Sequence, residues 1–246
     1  MSARAGAVAR VLHFAPHPDD ELLGAPATLM ALRDSGAQVV NVACSLGRTS
    51  ERDVRRRELE RACRLARFEL VMPQTPVPIS STEADPDAAR ELALLVRTQV
   101  EAHEPQIVVS PSPHDRHPGH ELVGRTVREV LSAGTAVESW WTWTVWASLP
   151  QPTLATAFDN DRLGEILQAL SAHRSQLQRN DYRRLLTGRA QMNAALAPEL
   201  LFGFGAGAGP DEVEYAELLS EISLAGGWRA GQPRWLDPVR PLAAHI

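Results

Sequence analysis

Short apolar runs alternate with longer stretches of helical periodicity along the first half of the chain. Val8 to Ala15 (VARVLHFA) is a β-rich run closed by Pro16. Glu21 to Arg33 then repeats apolar residues at Leu22, Leu29, Met30 and Leu32, as one face of a helix requires. The pattern recurs as Gln38 to Ser45 before a helix from about Arg52 to Arg67, and as Leu70 to Met72 before a helix from Asp87 to His103. It recurs again as Ile107 to Ser110 before a helix from Gly119 to Ser132. Strands alternating with helices of this length imply right-handed crossovers and a mostly parallel sheet covered by helices on both faces. The expected fold is therefore Rossmann-like α/β, as a single domain over residues 1–246 with a less regular part from about residue 150. Trp140, Trp141, Trp143 and Trp146, interleaved with Thr142, Thr144 and Val145, predict a late strand. Arg162 to Gln178 and Asp181 to Leu196 read as helices, and the Gly-rich Phe202 to Pro210 as a loop.

Composition narrows the function classes. A formal charge of −5 gives no electrostatic footprint for nucleic acid, and the arginines between Arg52 and Arg67 are interleaved with glutamates, as on a solvated helix face. Met1 to Arg10 lacks the charged start and apolar stretch of a secretory leader, and no apolar run approaches the roughly eighteen residues of a membrane span. Two cysteines, Cys44 and Cys63, are too few for a disulfide framework. A soluble cytoplasmic protein with no nucleic-acid or membrane partner is expected, and a homo-oligomer is compatible with the sequence.

In doubly wound sheets, ligands bind beyond the carboxyl ends of the strands. Both strongly polar clusters of the chain fall at such ends. Pro16-His17-Pro18-Asp19-Asp20-Glu21 follows the first strand, and His114-Asp115-Arg116-His117-Pro118-Gly119-His120 follows the fourth. Three of the eight histidines lie within the latter seven positions. A neutral imidazole at His17 and a carboxylate three residues later can converge at a helix start, and a histidine from the second cluster would complete a two-His, one-carboxylate metal site with open positions.

These motifs resemble the LmbE/PIG-L family of zinc-dependent N-deacetylases. The His-Pro-Asp-Asp-Glu signature stands at His17 to Glu21, and His117-Pro118-Gly119-His120 matches the second, His-Pro-Asp-His, signature with one departure. Arg55 to Leu59 and Ala172 to Gln176 are similar to two further family stretches. The resemblance implies that His17, Asp20 and His120 bind the metal, that Asp19 is the general base, and that His117 faces the developing oxyanion. The implied cofactor is Zn²⁺, with Fe²⁺ as the alternative, since two histidines and a carboxylate suit both. The implied substrate is a small glycoside carrying an N-acetylated amino sugar.

Gly119 stands where the family carries Asp, and Arg48 where members commonly carry Glu. Arg48 and Arg55 are therefore candidate substrate contacts. Asp115, two residues before His117, is the expected substitute for the missing carboxylate, orienting His117 and holding it protonated. Rival readings are cleavage of a larger amide in a thiol conjugate of a pseudodisaccharide, a non-haem iron oxygenase, and a non-catalytic sugar-binding module that uses the tryptophans as stacking faces.

Overall fold

The computed structural model describes residues 8–79, 86–206, 209–210, 212–225 and 227–237. Residues 1–7, on which the expectation about a secretory leader mostly rests, and 207–208 of the Gly-rich loop lie outside the described residues. Five strands, β1 (Arg10–Ala15), β2 (Gln38–Ala43), β3 (Glu69–Val71), β4 (Ile107–Pro111) and β5 (Ser139–Trp143), pair in parallel in the order β3-β2-β1-β4-β5. The chain runs outward from β1 to β3, then returns to place β4 on the other side of β1. The β1/β4 boundary is thus a topological switch point, where the crossovers diverge and leave a crevice beyond the strand ends.

Both sheet faces are covered, which is why the strands read as nearly unbroken apolar runs. Val11, Val39, Ile107, Val109, Trp141 and Trp143 face one core cluster, while Leu12, Phe14, Val40, Val42, Val108 and Trp140 face the other. Helices α1 (Asp20–Leu23), α2 (Pro26–Asp34) and α3 (Arg52–Ala66) pack in the first cluster. Helices α4 (Pro86–His103) and α5 (Pro118–Ser132) pack in the second. Each fully buried aliphatic side chain contributes roughly 1.5–3 kcal/mol to holding these layers together.

The helix expected over 21–33 is two helices. Gly24 separates them because a Cβ there would stand 2.5 Å from Cε2 of the Trp143 indole, and Pro26 opens α2. Trp143 is itself fixed from below. Its Nε1 donates to Nε2 of buried His13 at 3.1 Å, and His13 Nδ1 donates to Asn41 Oδ1 at 2.8 Å. Burial lowers the His13 pKa, in keeping with this neutral tautomer.

After β5 the strand predicted through Trp146 stops at Trp143. The chain continues through β6 (Leu154–Phe158), α6 (Asn160–Leu170), α7 (Arg174–Leu177) and α8 (Tyr182–Phe202). The helix expected over 162–178 breaks at Ser171–His173, and α8 runs beyond the expected end at Leu196, through Pro198, to Phe202. The sequence reading missed β7 (Tyr215–Ser223), which pairs antiparallel with both β5 and β6. It carries Glu217 and Glu221, whose inward carboxylates disguise the alternation. Glu217 accepts from the backbone N–H groups of Ala27 and Thr28 at the start of α2, at 2.7 and 2.8 Å. Glu221 meets Arg234 and the Trp141 indole. Short strands β8 (Arg229–Ala230) and β9 (Arg234–Trp235) complete a mixed sheet of nine strands among the described residues.

Candidate metal centre

Both polar clusters meet in the crevice at the β1/β4 boundary. Beyond β1 the backbone reverses so sharply that Asp19 takes φ 118° and ψ −24°, a region that residues with a Cβ rarely enter. The turn is held by its own side chains. Asp20 Oδ2 accepts from the His17 backbone N–H at 2.9 Å, and Glu21 Oε2 accepts from the Asp19 N–H at 3.0 Å. The other oxygen of Glu21 lies 2.5 Å from Nε2 of His173, and both residues are fully buried. Strain at a residue so over-determined by its surroundings marks a functional position.

From the β4 side, His117 caps α5 and His120 lies in its first turn. Asp20 Oδ2 is 3.2 Å from His17 Nδ1 and 3.2 Å from His120 Nε2. Two metal–ligand bonds of about 2.0–2.1 Å meeting at a tetrahedral angle separate their donor atoms by roughly 3.3–3.4 Å. Asp20 Oδ2 therefore stands close to ligand-to-ligand spacing from a nitrogen of each of the two histidines. Ring nitrogens of His17, His117 and His120 also lie within 4.8 Å of one another, so His117 borders the same point.

The electrostatics of the site suit a bound cation. Burial lowers the His17 pKa, leaving the neutral imidazole a metal requires. Burial opposes charge on Asp20, but His120 and His17 outweigh it and hold the carboxyl well below its ordinary value. His120 is pushed up to about 10: burial resists, but Asp20 and Asp115 on its two sides prevail. A divalent ion would take the place of that proton on Nε2. Asp19 goes the other way, raised well above the carboxylate range by burial and by Asp20, against His173 and Arg55. Two adjacent carboxyls pushed in opposite directions are the pattern of one ligand and one proton carrier.

Two expectations about the second cluster need correction. Asp115 does not orient His117: its Oδ2 lies 2.6 Å from His120 Nδ1, and its Oδ1 accepts from the backbone N–H groups of Val145, Trp146 and Ala147 at 2.7, 2.8 and 3.2 Å. With both oxygens committed and no exposure, it is not a substrate contact either. Nor is His117 held protonated. Burial, then His120 and His17, lower it to about 4, and its buried Nδ1 has no hydrogen-bond partner among the described residues.

Gly119 has a steric reason here. A Cβ would stand 2.7 Å from Ile79 Cγ2 and 2.9 Å from His17 Cε1, so the imidazole of His17 fills the space a side chain would need. Arg55 is buried beside the site and donates to the Pro18 carbonyl at 3.1 Å, whereas Arg48 is exposed at the start of the following 3₁₀ turn. The sequence reading gave no role to the Glu21–His173 pair or to Tyr182, although the Ala172 to Gln176 stretch pointed toward the first.

Residues 12–131 match the sequence model of the family described as PIG-L, GlcNAc-PI de-N-acetylase. Over that stretch the chain is similar to the PIG-L family. All the residues singled out in the two polar clusters lie within that span; Trp146, His173 and Tyr182 lie beyond it. No curated protein matches this chain in sequence. Among solved structures, a deacetylase of the teicoplanin biosynthesis pathway is similar at 18% identity with TM-score 0.63, covering 89% of this chain and all of that one. N,N'-diacetylchitobiose deacetylase from Pyrococcus horikoshii is similar at 19% identity with TM-score 0.56, covering 87% of this chain and 84% of that one. A 4-carboxy-2-hydroxymuconate hydratase from Pseudomonas putida is similar at 16% identity with TM-score 0.62, covering 94% of this chain and 99% of that one. At such identities the likeness is one of fold, and the fold evidently serves more than one reaction.

Proposed function

We propose that this chain is a zinc-dependent hydrolase that removes the N-acetyl group from an amino sugar in a small glycoside. The observation that carries the reading is the position of Asp20 Oδ2, 3.2 Å from a nitrogen of each of His17 and His120. His17, Asp20 and His120 would hold the ion, with Fe²⁺ as the alternative to zinc. When bound, such an ion supplies an acidified water, with a pKa near about 7, and Lewis-acid polarisation of the amide carbonyl.

The chain's own groups do the rest. Asp19 takes a proton from the attacking water and passes it to the departing amine, a double duty suited to a carboxyl whose pKa burial has raised. Arg55 keeps the Pro18 carbonyl in place, and the Glu21–His173 pair keeps the Asp19 turn in its strained form. His117, neutral, borders the side on which the oxyanion develops.

Two of the similar structures are named as a deacetylase of teicoplanin biosynthesis and as N,N'-diacetylchitobiose deacetylase, which supports the substrate class. The acidic charge argues against a nucleic-acid partner, and no helix of the described residues is long and apolar enough to cross a membrane. We therefore take the substrate to be a free glycoside met in the cytoplasm, possession of a lipid anchor being unnecessary. The doubly wound sheet is unlike the β-barrels that usually house two-His, one-carboxylate iron oxygenases.

The test is free-amine release from a panel of N-acetylated glycosides by metal-reconstituted protein, with O₂ consumption followed in parallel. Amine release that chelator abolishes supports the reading. Release only from peptides or acyl-lysines, or turnover that consumes O₂, would overturn it, and release only from large thiol-conjugate amides would move the substrate to that class.

A further inference from the structure

Three of the four clustered tryptophans behave as core. Trp140, Trp141 and Trp143 are at most 1% exposed, but Trp146 is 41% exposed, and it sits at the mouth of the metal centre. Its ring lies 6.4 Å from that of His117 at an interplanar angle of 30°, and 6.4 Å from that of Tyr182 at 72°. Tyr182 is buried, so one aromatic wall of the corner is fixed in the protein while the other is open to solvent.

The open wall is held with unusual care. Three successive N–H groups, from Val145, Trp146 and Ala147, converge on the single oxygen Asp115 Oδ1. Just before them, the Thr144 carbonyl accepts from Arg189 of α8. A buried carboxylate with this many donors makes a rigid brace, worth more than exposed loop contacts. An exposed indole costs solvation, and a core would not need its backbone fixed by the same carboxylate that holds His120.

We propose that Trp146, backed edge-on by buried Tyr182, forms a pre-set aromatic corner whose open indole face receives the pyranose ring bearing the amide, and that Trp146 determines selectivity for cyclic over acyclic amides. A pyranose presents a face of C–H groups that packs on an indole, while its hydroxyls stay in water or meet polar groups at the rim. Pre-organisation of the loop spares the ordering cost that a mobile tryptophan would add. Asp115 ties this wall to His120, so the distance from stacked ring to metal centre is set by one side chain. The inference rests on the proposed deacetylation, but it concerns which amides are chosen rather than how they are cleaved.

The experiment compares the zinc-reconstituted wild type with Trp146→Ala and Trp146→Phe on two amides, a methyl glycoside of N-acetylglucosamine and acyclic N-acetylethanolamine. In Trp146→Ala the preference in kcat/KM for the glycoside should fall roughly ten-fold, mainly through KM, with metal content unaltered. Trp146→Phe should recover most of the preference. An unchanged preference in Trp146→Ala would overturn the corner while leaving deacetylation standing. If wild type releases amine from neither compound, the reaction is at fault, and saturation-transfer NMR of the glycoside still decides the corner. Transfer to the ring protons that disappears in Trp146→Ala supports it; equal transfer in both proteins, or none in either, overturns it.

Discussion

Asp115 stands 2.6 Å from Nδ1 of His120, and the ring nitrogen on the far side of that imidazole faces Asp20 Oδ2 at 3.2 Å. The carboxylate accepts the Nδ1 proton and so leaves Nε2 with a lone pair for a metal. Asp115→Asn breaks this in either orientation. If the amide NH₂ faces His120, the ring must take the tautomer that cannot ligate; if it faces the loop, it opposes three N–H donors. Metal affinity should fall by roughly 10–100-fold in this variant. Competition with a chelating dye measures it, and wild-type affinity would show that another group sets the tautomer.

His17→Ala, Asp20→Ala and His120→Ala should each lose the metal, while Asp19→Asn should keep it and lose kcat by about 10²–10⁴-fold. Asparagine is a fair replacement because it tolerates the positive φ of Asp19 better than most residues. Metal analysis beside single-turnover rates separates the two groups. Metal loss in Asp19→Asn, or near wild-type kcat, would remove Asp19 from the role of proton carrier.

Gly119→Ala should weaken metal binding by displacing His17, whose Cε1 would lie 2.9 Å from the new methyl. Gly119→Asp should do at least as much harm, although it restores the family's residue. Gly164 in α6 makes the control, since nothing lies within 4 Å of its Cβ position and alanine there should stabilise the helix by up to about 1 kcal/mol. Equal metal affinity in Gly119→Ala and wild type would show that His17 moves aside freely.

Glu217 gives a pH dependence away from the metal. Burial raises its carboxyl to about 7, outweighing the donors of Ala27 and Thr28 and the charge of Arg189 that pull it down. A carboxyl whose folded pKa exceeds its unfolded value of about 4.3 binds more protons in the folded state. Its contribution is therefore complete below pH ~4.3 and lost as pH rises through about 7. The thermal midpoint of wild type, taken relative to Glu217→Gln, should fall between pH 5 and pH 8. A difference constant across that range would mean that Glu217 is ionised throughout.

The parallel half of the sheet and both polar clusters were legible because their signals are local: period, strand-end position, and histidines within a few residues of one another. His17, Asp20 and His120 converge as the strand ends imply. What the reading lost depended on distant partners. Asp115 is two residues from His117 in sequence, but its oxygens are claimed by His120 and by a loop thirty residues on. The strand Tyr215–Ser223 reads as polar because Glu217 and Glu221 find buried donors on other elements. Glu21 and His173 are 152 residues apart, and although both stretches were singled out, nothing local pairs the one with the other.

The carboxylate of Glu217 reaches the start of α2 across 190 residues of chain. Translation at roughly 5–20 residues per second separates the emergence of these two partners by about ten to forty seconds. During that interval Ala27 and Thr28 lack their Glu217 partner, and for its last part β5, once made, lacks β7 on its edge. The nascent protein therefore passes through a stage with its metal-ligand clusters already synthesised and its sheet still open, a period in which a chaperone or a premature ion would find it unfinished.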